Sequence, residues 1–154
     1  MLVKDLMRHD VRTCMPHDKL SEAARIMWDG DIGAVPVVDY RKCPIAMLTD
    51  RDVCMAAYIT GLPLSLIPVS QAMSKHLVTC EPDATVHDVE LLMQSAQVRR
   101  IPVVDYVGTL VGIITLGDLA ADARSLRMAV AGPGVVKTLA SINERRWHGA
   151  LTES

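Results

Sequence analysis

Aromatic residues and an excess of one charge are what this sequence of 154 residues has least of. It contains no Phe, two Trp and three Tyr, so it lacks the aromatic surface on which single-stranded nucleic acids stack their bases. The formal net charge is only −2, and 22% of the residues are charged, as in ordinary globular proteins. A protein that binds nucleic acid through a basic surface is therefore not expected.

Long apolar runs are missing too. No window approaches the roughly 18 uninterrupted apolar residues of a membrane-spanning helix. The first ten residues, MLVKDLMRHD, carry charges at positions 4, 5, 8 and 10 and do not resemble a signal peptide. We therefore expect a soluble protein of the cytoplasm that does not contact a membrane.

Motifs for metal binding and catalysis are also absent. The four cysteines, Cys14, Cys43, Cys54 and Cys80, form no C-x-x-C pair, and the five histidines show no H-x-x-x-H spacing. A metal site is therefore not predicted. No G-x-S-x-G nucleophile motif and no GxxxxGK[ST] phosphate loop occur, so we predict that the chain is not an enzyme. Cys14 and Cys80 are expected to be reduced thiols at matching positions of the core.

What the sequence does contain is an internal duplication. Residues 35–40 read VPVVDY and residues 101–106 read IPVVDY, while residues 46–52 read AMLTDRD and residues 112–118 read GIITLGD. Sliding the sequence on itself by 66 residues aligns both pairs of segments without a gap. The same shift aligns Met7 with Met73, Thr13 with Thr79, Cys14 with Cys80, and Met27 with Met93. A fixed repeat of this length indicates two copies of one supersecondary unit.

Each unit is predicted to have the element order β-α-β-β-α, so the fold class is α/β, of the α+β type. The predicted β segments are Val11–Cys14, Val35–Val38 and Ile45–Leu48 in the first unit, and Leu77–Cys80, Ile101–Val104 and Leu110–Ile114 in the second. The first helix of each unit is predicted to begin at Asp18 or Lys19 and at Thr85, and the second helix near Thr49 and Thr115.

The duplication also predicts the domain organisation. The expected domains are a first unit over 1–60, a linker over 61–70, a second unit over 71–121 and a helical C-terminal extension over 122–154. A short helix is predicted within that extension over 137–148. Because about 55 residues bury too little surface alone, we expect the two units to pack sheet to sheet about an approximate two-fold axis.

Two interpretations fit the Thr-x-x-Asp spacing that occurs at 49–52 and 115–118. The first is a capping box, in which the Thr hydroxyl accepts a backbone N–H and the acid bonds back to the helix start. The second is a nucleotide site. A strand that feeds directly into a helix presents free N–H groups to phosphate, and an Asp one turn in can accept hydrogen bonds from ribose hydroxyls. Recurrence of the spacing after a β segment in both units favours the second interpretation.

The sequence resembles a tandem pair of CBS domains, also called a Bateman module, over residues 1–121. The resemblance rests on VPVVD and IPVVD, on AMLTDRD and GIITLGD, and on the T-C-x-P segment that precedes them in each unit. It implies two clefts between the units that bind adenosine-containing ligands such as AMP, ADP, ATP or S-adenosylmethionine. It further implies a non-catalytic regulator that needs no cofactor, forms a homodimer through its CBS units and signals to an unidentified partner protein.

The resemblance also assigns ligand-binding roles to matching positions of the two units. The Asp of each Thr-x-x-Asp would hold the ribose hydroxyls, and its Thr the ribose or phosphate. The two residues before each proline would flank the adenine or phosphates, the residue two before the Thr would contact the base, and the Thr of each T-C-x-P segment would line the entrance. The implied ligand-binding residues are Thr13, Ala34, Val35, Pro36, Met47, Thr49, Arg51 and Asp52 in the first unit, and Thr79, Arg99, Arg100, Ile101, Pro102, Ile113, Thr115 and Asp118 in the second.

The two units differ in charge at these positions. Arg99 and Arg100 stand where the first unit has Gly33 and Ala34, while Arg51 has a glycine as its counterpart. The Arg guanidinium suits phosphate oxygens, so the second unit is predicted to be the one that binds a phosphorylated ligand. The alternative is that both arginines are surface charges at the start of a strand.

Two other functions remain open at this point. An unliganded dimeric scaffold with degenerate sites would show no stabilisation by adenine nucleotides. A small enzyme would turn a nucleotide over. Retention of Thr-x-x-Asp in both units favours the ligand-sensing module over the scaffold.

Overall fold

The computed structural model describes residues 1–125 together with Gly134 and Thr138. Its helices are α1 (Leu20–Gly30), α2 (Asp50–Thr60), α3 (Val86–Ala96) and α4 (Leu116–Ser125), and its strands are β1 (Ala34–Val38), β2 (Pro44–Thr49), β3 (Arg100–Val104) and β4 (Leu110–Thr115). Short 3₁₀ turns cover Val3–Asp5, Leu64–Leu66 and Val69–Gln71. The mixed helix and strand content confirms the predicted fold class. The predicted extension beyond residue 125, including the helix over 137–148, lies outside the described residues apart from Gly134 and Thr138.

The helices begin where local signals predict. Lys19 is the residue before α1, and its N–H donates to the Glu22 carboxylate at 3.1 Å. Thr85 caps α3, because its Oγ1 accepts the N–H of Asp88 at 3.1 Å. Such side chains satisfy N–H groups that have no partner within the helix.

Each pair of strands forms a two-stranded sheet. β1 and β2 are antiparallel, with Ala34 opposite Thr49 and an irregularity between Val37 and Val38. The turn between them is held by Asp39, whose Oδ1 accepts N–H groups from two following residues at 2.9 Å each. Residues 39–43, which read DYRKC, thus form a short turn between the two strands.

The predicted strands over Val11–Cys14 and Leu77–Cys80 are wrong, because each is reduced to one bridge. Cys14 bridges Val37 in parallel, and Cys80 bridges Val103 in the same way. The pairing stops there because a turn follows at once: the Asp18 side chain accepts the N–H of the residue after Cys14 at 2.7 Å.

The chain forms two compact units, and each of them combines segments that are not consecutive in the sequence. The first compact unit contains Asp10–Leu77 and Tyr106–Leu110. The second contains Met1–His9, here called the N-terminal segment, together with Val78–Asp105 and the chain from Val111 onward. The domain boundaries predicted above follow the repeat along the sequence and stay a prediction.

The N-terminal segment is built into the second compact unit. Val3 is fully buried in the apolar core there, and its N–H donates to the carbonyl of Ala84 at 2.9 Å. The repeat counterpart is Val69, equally buried in the first compact unit, whose N–H donates to the carbonyl of Asp18 at 2.8 Å. Each core therefore includes a short segment from a matching place in the duplication.

The predicted linker contributes to a core as well. Ile67 is fully buried and packs with Leu20, Val35 and Leu48 in the first compact unit. Its carbonyl accepts the N–H of Leu20 at 2.9 Å. Part of the residues 61–70 is thus core rather than an exposed connection.

The thiols at matching positions pack as predicted. Cys14 lies in the core of the first compact unit, and Cys80 packs against that of the second. Burial, with a smaller contribution from Asp18, raises the pKa of Cys14 to about 12, and burial raises the pKa of Cys80 to about 11. Both therefore stay protonated at neutral pH, in which form a thiol is a poor nucleophile.

The two described residues of the C-terminal part contact α3. Gln94 Nε2 donates to Oγ1 of the buried Thr138 at 2.9 Å, and that hydroxyl donates to the carbonyl of Gly134 at 2.9 Å. A Cβ on Gly134 would lie 2.8 Å from the Glu90 carboxylate, so glycine allows this close approach. Burial raises the pKa of Glu90, while the nearby imidazole of His87 lowers it to a smaller extent.

None of the helices in the described part of the chain combines the length and the apolar character that crossing a bilayer requires.

Candidate functional site

The first candidate site is the corner at which β2 runs directly into α2, here called the first corner. Thr49 ends the strand and caps the helix. Its N–H and its Oγ1 both donate to Oδ2 of Asp52, at 2.9 and 2.8 Å, and Oγ1 accepts the N–H of Asp52 at 3.2 Å. The capping interpretation of this motif is confirmed.

The second corner, where β4 runs into α4, repeats this geometry. The N–H and Oγ1 of Thr115 donate to Oδ2 of Asp118 at 2.9 and 2.6 Å, and Oγ1 accepts the N–H of Asp118 at 3.2 Å. In both corners the cap uses one carboxylate oxygen, Oδ2. Because a carboxylate has two oxygens that each accept hydrogen bonds, the cap and a ligand role for Oδ1 are compatible.

The two Oδ1 atoms have different surroundings. Oδ1 of Asp118 accepts a hydrogen bond from Arg8 Nε at 2.8 Å. Within the part of the chain that the structure describes, Oδ1 of Asp52 has no hydrogen-bond partner from the protein. Sequence reasoning missed Arg8, although the 66-residue shift aligns it with Ser74 and thereby exposes a change from a polar residue to a cation.

The backbone of the residue just before β1 or β3 contacts the first turn of the following corner helix. The carbonyl of Gly33 accepts the N–H of Asp50 at 3.1 Å, and the carbonyl of Arg99 accepts the N–H of Leu116 at 2.9 Å. The structure therefore brings the backbone of Arg99 to the start of α4, and the phosphate role of its side chain stays a prediction. Arg99 and Arg100 are half-buried, so neither is a fully exposed surface charge.

Four predicted ligand contacts are core residues. Val35 and Ile101 are fully buried in the two apolar cores, and Pro36 and Pro102 beside them are buried. The side chains of Val35 and Ile101 are part of the cores, and a ligand role for these four positions stays a prediction. Ala34, opposite Thr49 in the sheet, is also buried.

The remaining predicted residues differ in where they lie relative to the corners. Met47 and Ile113 are half-buried, two residues before the capping threonines. Thr13 and Thr79 are half-buried beside the bridging cysteines, and within the described residues neither hydrogen-bonds to a corner Thr or Asp. Arg51, in the first turn of α2, is exposed.

A close approach of the N-terminal segment to β4 depends on Gly112. A Cβ at this position would lie 2.7 Å from Sδ of Met7 and 3.1 Å from the carbonyl oxygen of Arg8. The first repeat has Ala46 at the matching position, which is fully buried. The glycine thus allows the segment that carries Arg8 to lie against the second corner.

Comparison with known proteins identifies the architecture. A model of the CBS domain family matches residues 3–58 and again residues 69–123. The chain is 41% identical over 123 residues to the CBS domain-containing protein YhcV of Bacillus subtilis (strain 168), a match that covers 80% of this chain and 86% of that protein.

Solved structures agree with the sequence match. The CBS domain pair of protein MJ0100, in complex with 5′-methylthioadenosine and S-adenosyl-L-methionine, superposes with a TM-score of 0.70 at 26% identity and covers 79% of this chain and 98% of that chain. CBSX2 in complex with AMP superposes with a TM-score of 0.69 at 22% identity and covers 82% and 98%, a likeness that concerns the fold alone. With two matching segments and a relative at 41% identity, the chain belongs to the CBS domain family and contains two CBS domains.

Proposed function

We propose that the protein is a non-catalytic regulatory module that senses an adenosine-containing ligand at its strand-to-helix corners. The observation that carries this proposal is the carboxylate of Asp52. Thr49 holds its Oδ2 with two hydrogen bonds, which fixes the carboxylate and leaves Oδ1 as an acceptor for a ribose hydroxyl. Preorganisation of this kind lowers the entropic cost of binding, because the acceptor needs no reordering.

The ligand class is supported by a protein of similar architecture. The CBS domain pair of MJ0100 is bound to 5′-methylthioadenosine and S-adenosyl-L-methionine. These two ligands share the adenosine moiety, whose ribose hydroxyls suit a fixed carboxylate. We extend the same class to this chain, with AMP, ADP and ATP as the first ligands to test.

A bound ligand can act only if it favours one arrangement of the protein over another. In the proposed mechanism the ligand joins α2 or α4 to the strand residues beside it, and the favoured arrangement is read by a partner protein or through a homodimer. A cytoplasmic location and an unidentified regulated protein complete the proposal.

Asp118→Ala and Asp52→Ala test the ligand role of the corners. Each is expected to weaken AMP binding at its own corner tenfold to a hundredfold, since hydrogen bonds to a charged group are worth roughly 1.5–3 kcal/mol. Isothermal titration calorimetry with AMP measures the change. Unchanged AMP binding in both variants would show that the carboxylates are caps and nothing more.

Asp88→Ala is a matched control for this experiment. Thr85 and Asp88 make two of the three capping contacts at the start of α3, with Thr85 Oγ1 donating to Asp88 Oδ2 at 2.6 Å and accepting the N–H of Asp88 at 3.1 Å. No strand leads into α3, so the control removes a cap without touching a corner. We expect it to lower stability by about 1 kcal/mol and to leave AMP affinity unchanged.

This same cap supports the second candidate function, an unliganded scaffold. Because Thr85 and Asp88 form the motif away from any corner, capping alone is a sufficient reason for the two residues. A thermal-shift series with AMP, ADP, ATP and S-adenosylmethionine separates the two functions. If none of these compounds raises the melting temperature of the protein, the scaffold is favoured.

We further propose that the module forms a homodimer through its helices. Trp28 on α1 is 86% exposed, and Tyr58 and Ile59 on α2 are 81% and 74% exposed. A cavity of about 340 Å³, lined by Met27, Trp28 and Val53 among others, opens between the two helices. Large apolar side chains grouped on one helix pair commonly mark a protein interface.

Tyr58→Glu tests this interface. A charge at the centre of an apolar contact has to be desolvated, so we expect the dimer dissociation constant to rise at least about tenfold. Sedimentation velocity over a concentration series measures it. Tyr106→Glu, at a tyrosine that is 94% exposed outside the helices, serves as the control and should leave the dimer intact. A dimer that is insensitive to Tyr58→Glu would place the interface elsewhere.

A further inference from the structure

The N-terminal segment places a cation at the second corner. Arg8 Nε and Asp118 Oδ1 form an ion pair at 2.8 Å, in which the Asp118 side chain is 10% exposed and the Arg8 side chain 67% exposed. The backbone of Arg8 is fixed separately, because its N–H and carbonyl pair with Ile113 at 2.9 and 3.0 Å. The guanidinium can therefore turn away from Asp118 while the segment stays on β4.

The first corner has no such cation. The repeat places Ser74 where the second corner has Arg8, and the backbone pairing recurs, with the N–H of Ser74 donating to the carbonyl of Met47 at 2.8 Å. The Ser74 hydroxyl accepts the N–H of Met47 at 2.9 Å. Among the residues that the structure describes, no Lys, Arg or His forms an ion pair with Asp52. The two carboxylates thus share their capping geometry, but within the described residues only Asp118 is ion-paired with a cation.

We propose that Arg8 makes the second corner selective for adenosine ligands that carry an anionic group, a role that rests on the adenosine binding proposed above. A ribose hydroxyl reaches Oδ1 of Asp118 only when the guanidinium releases or shares that atom. A phosphorylated ligand compensates for this loss, because its anionic phosphate oxygens accept charge-assisted hydrogen bonds from the guanidinium in place of the carboxylate.

An uncharged ligand offers no such exchange. Adenosine at the second corner would displace Arg8 from a largely buried carboxylate without giving its charge a new partner, so the existing ion pair opposes binding. At the first corner no ion pair has to be broken. The two corners of one chain are therefore expected to differ in their preference for phosphorylated over uncharged adenosine compounds.

The test compares AMP with adenosine, which differ only in the phosphate, by isothermal titration calorimetry. All proteins carry Asp52→Ala, so that binding reports on the second corner. Arg8→Ser, which installs the residue found at the matching place of the first corner, is expected to lower the ratio of AMP affinity to adenosine affinity at least about tenfold. Arg8→Lys retains the charge and should keep most of this ratio.

Lys4→Ser is the matched control, since it removes one positive charge from the same segment. Lys4 Nζ pairs with Asp83 at 2.7 Å rather than with a corner residue. Its loss should change the ratio by less than about twofold, because exposed charges at a distance are screened. Circular dichroism verifies that each variant is folded.

Each contrary outcome is distinct. An unchanged ratio in Arg8→Ser, or an equal fall in Lys4→Ser, overturns the role of Arg8 and leaves adenosine binding in place. The role of Arg8 is also overturned if the unmodified chain binds AMP and the Asp52→Ala protein does not. The second corner is then not a binding site. If the unmodified chain binds neither AMP nor adenosine, the proposed function fails and the selectivity fails with it.

Discussion

Ile67→Ala is expected to lower the free energy of unfolding by about 2–5 kcal/mol, the range for a large apolar side chain removed from a packed core. Ile67 lies between the two repeats, where sequence reasoning predicts a linker, yet its side chain is fully buried. It packs with Leu20 and Leu48, and truncation would leave a cavity lined by these side chains. Urea unfolding followed by circular dichroism measures the loss.

Leu66→Ala is the control for this prediction. Leu66 is the adjacent residue of the same segment and is 60% exposed. Its truncation removes as many carbon atoms from a place where water already surrounds them, so the expected change is within about 0.5 kcal/mol. Equal losses in the two variants would mean that the segment is not part of the core.

The features that sequence reasoning recovered are those with local causes. The start of α3 depends on Thr85 and Asp88, three residues apart, and the two corners depend on the same spacing. Helix caps are formed by neighbours in the chain, so a short pattern contains all the information they need. The duplication supplied the order of elements, because a pattern that is ambiguous once becomes clear when it recurs in register.

The features that were missed depend on contacts between distant parts of the chain. The ion pair of Arg8 with Asp118 joins residues that are 110 positions apart. The strand prediction over Val11–Cys14 failed because β propensity indicates which residues suit a sheet. It does not indicate how many residues of a neighbouring strand are available for backbone pairing. Val35 and Ile101 show the same limit, since the residues before a strand proline do not reveal from the sequence that their side chains are part of the core.

Val3→Asp is expected to lower the free energy of unfolding by roughly 3–5 kcal/mol, because it buries a carboxylate that has no partner. Val3 is fully buried against Met93, Ile101 and Ile114 in the core of the second compact unit. Urea unfolding near pH 7, where the new carboxyl group is charged in the unfolded chain, measures the effect. His9→Asp, at an exposed position of the same segment, should change the stability by less than about 0.5 kcal/mol.

The same substitution tests whether the duplication extends to the packing of these short segments. Val69 occupies the matching place in the first compact unit and is equally buried. Val69→Asp should therefore cost as much as Val3→Asp, although one residue lies near the beginning of the chain and the other between the repeats. A small effect of Val3→Asp beside a large effect of Val69→Asp would show that the N-terminal segment is detachable. Arg8 would then be held at Asp118 by a loosely bound segment, and we would expect the charge selectivity proposed for the second corner to weaken.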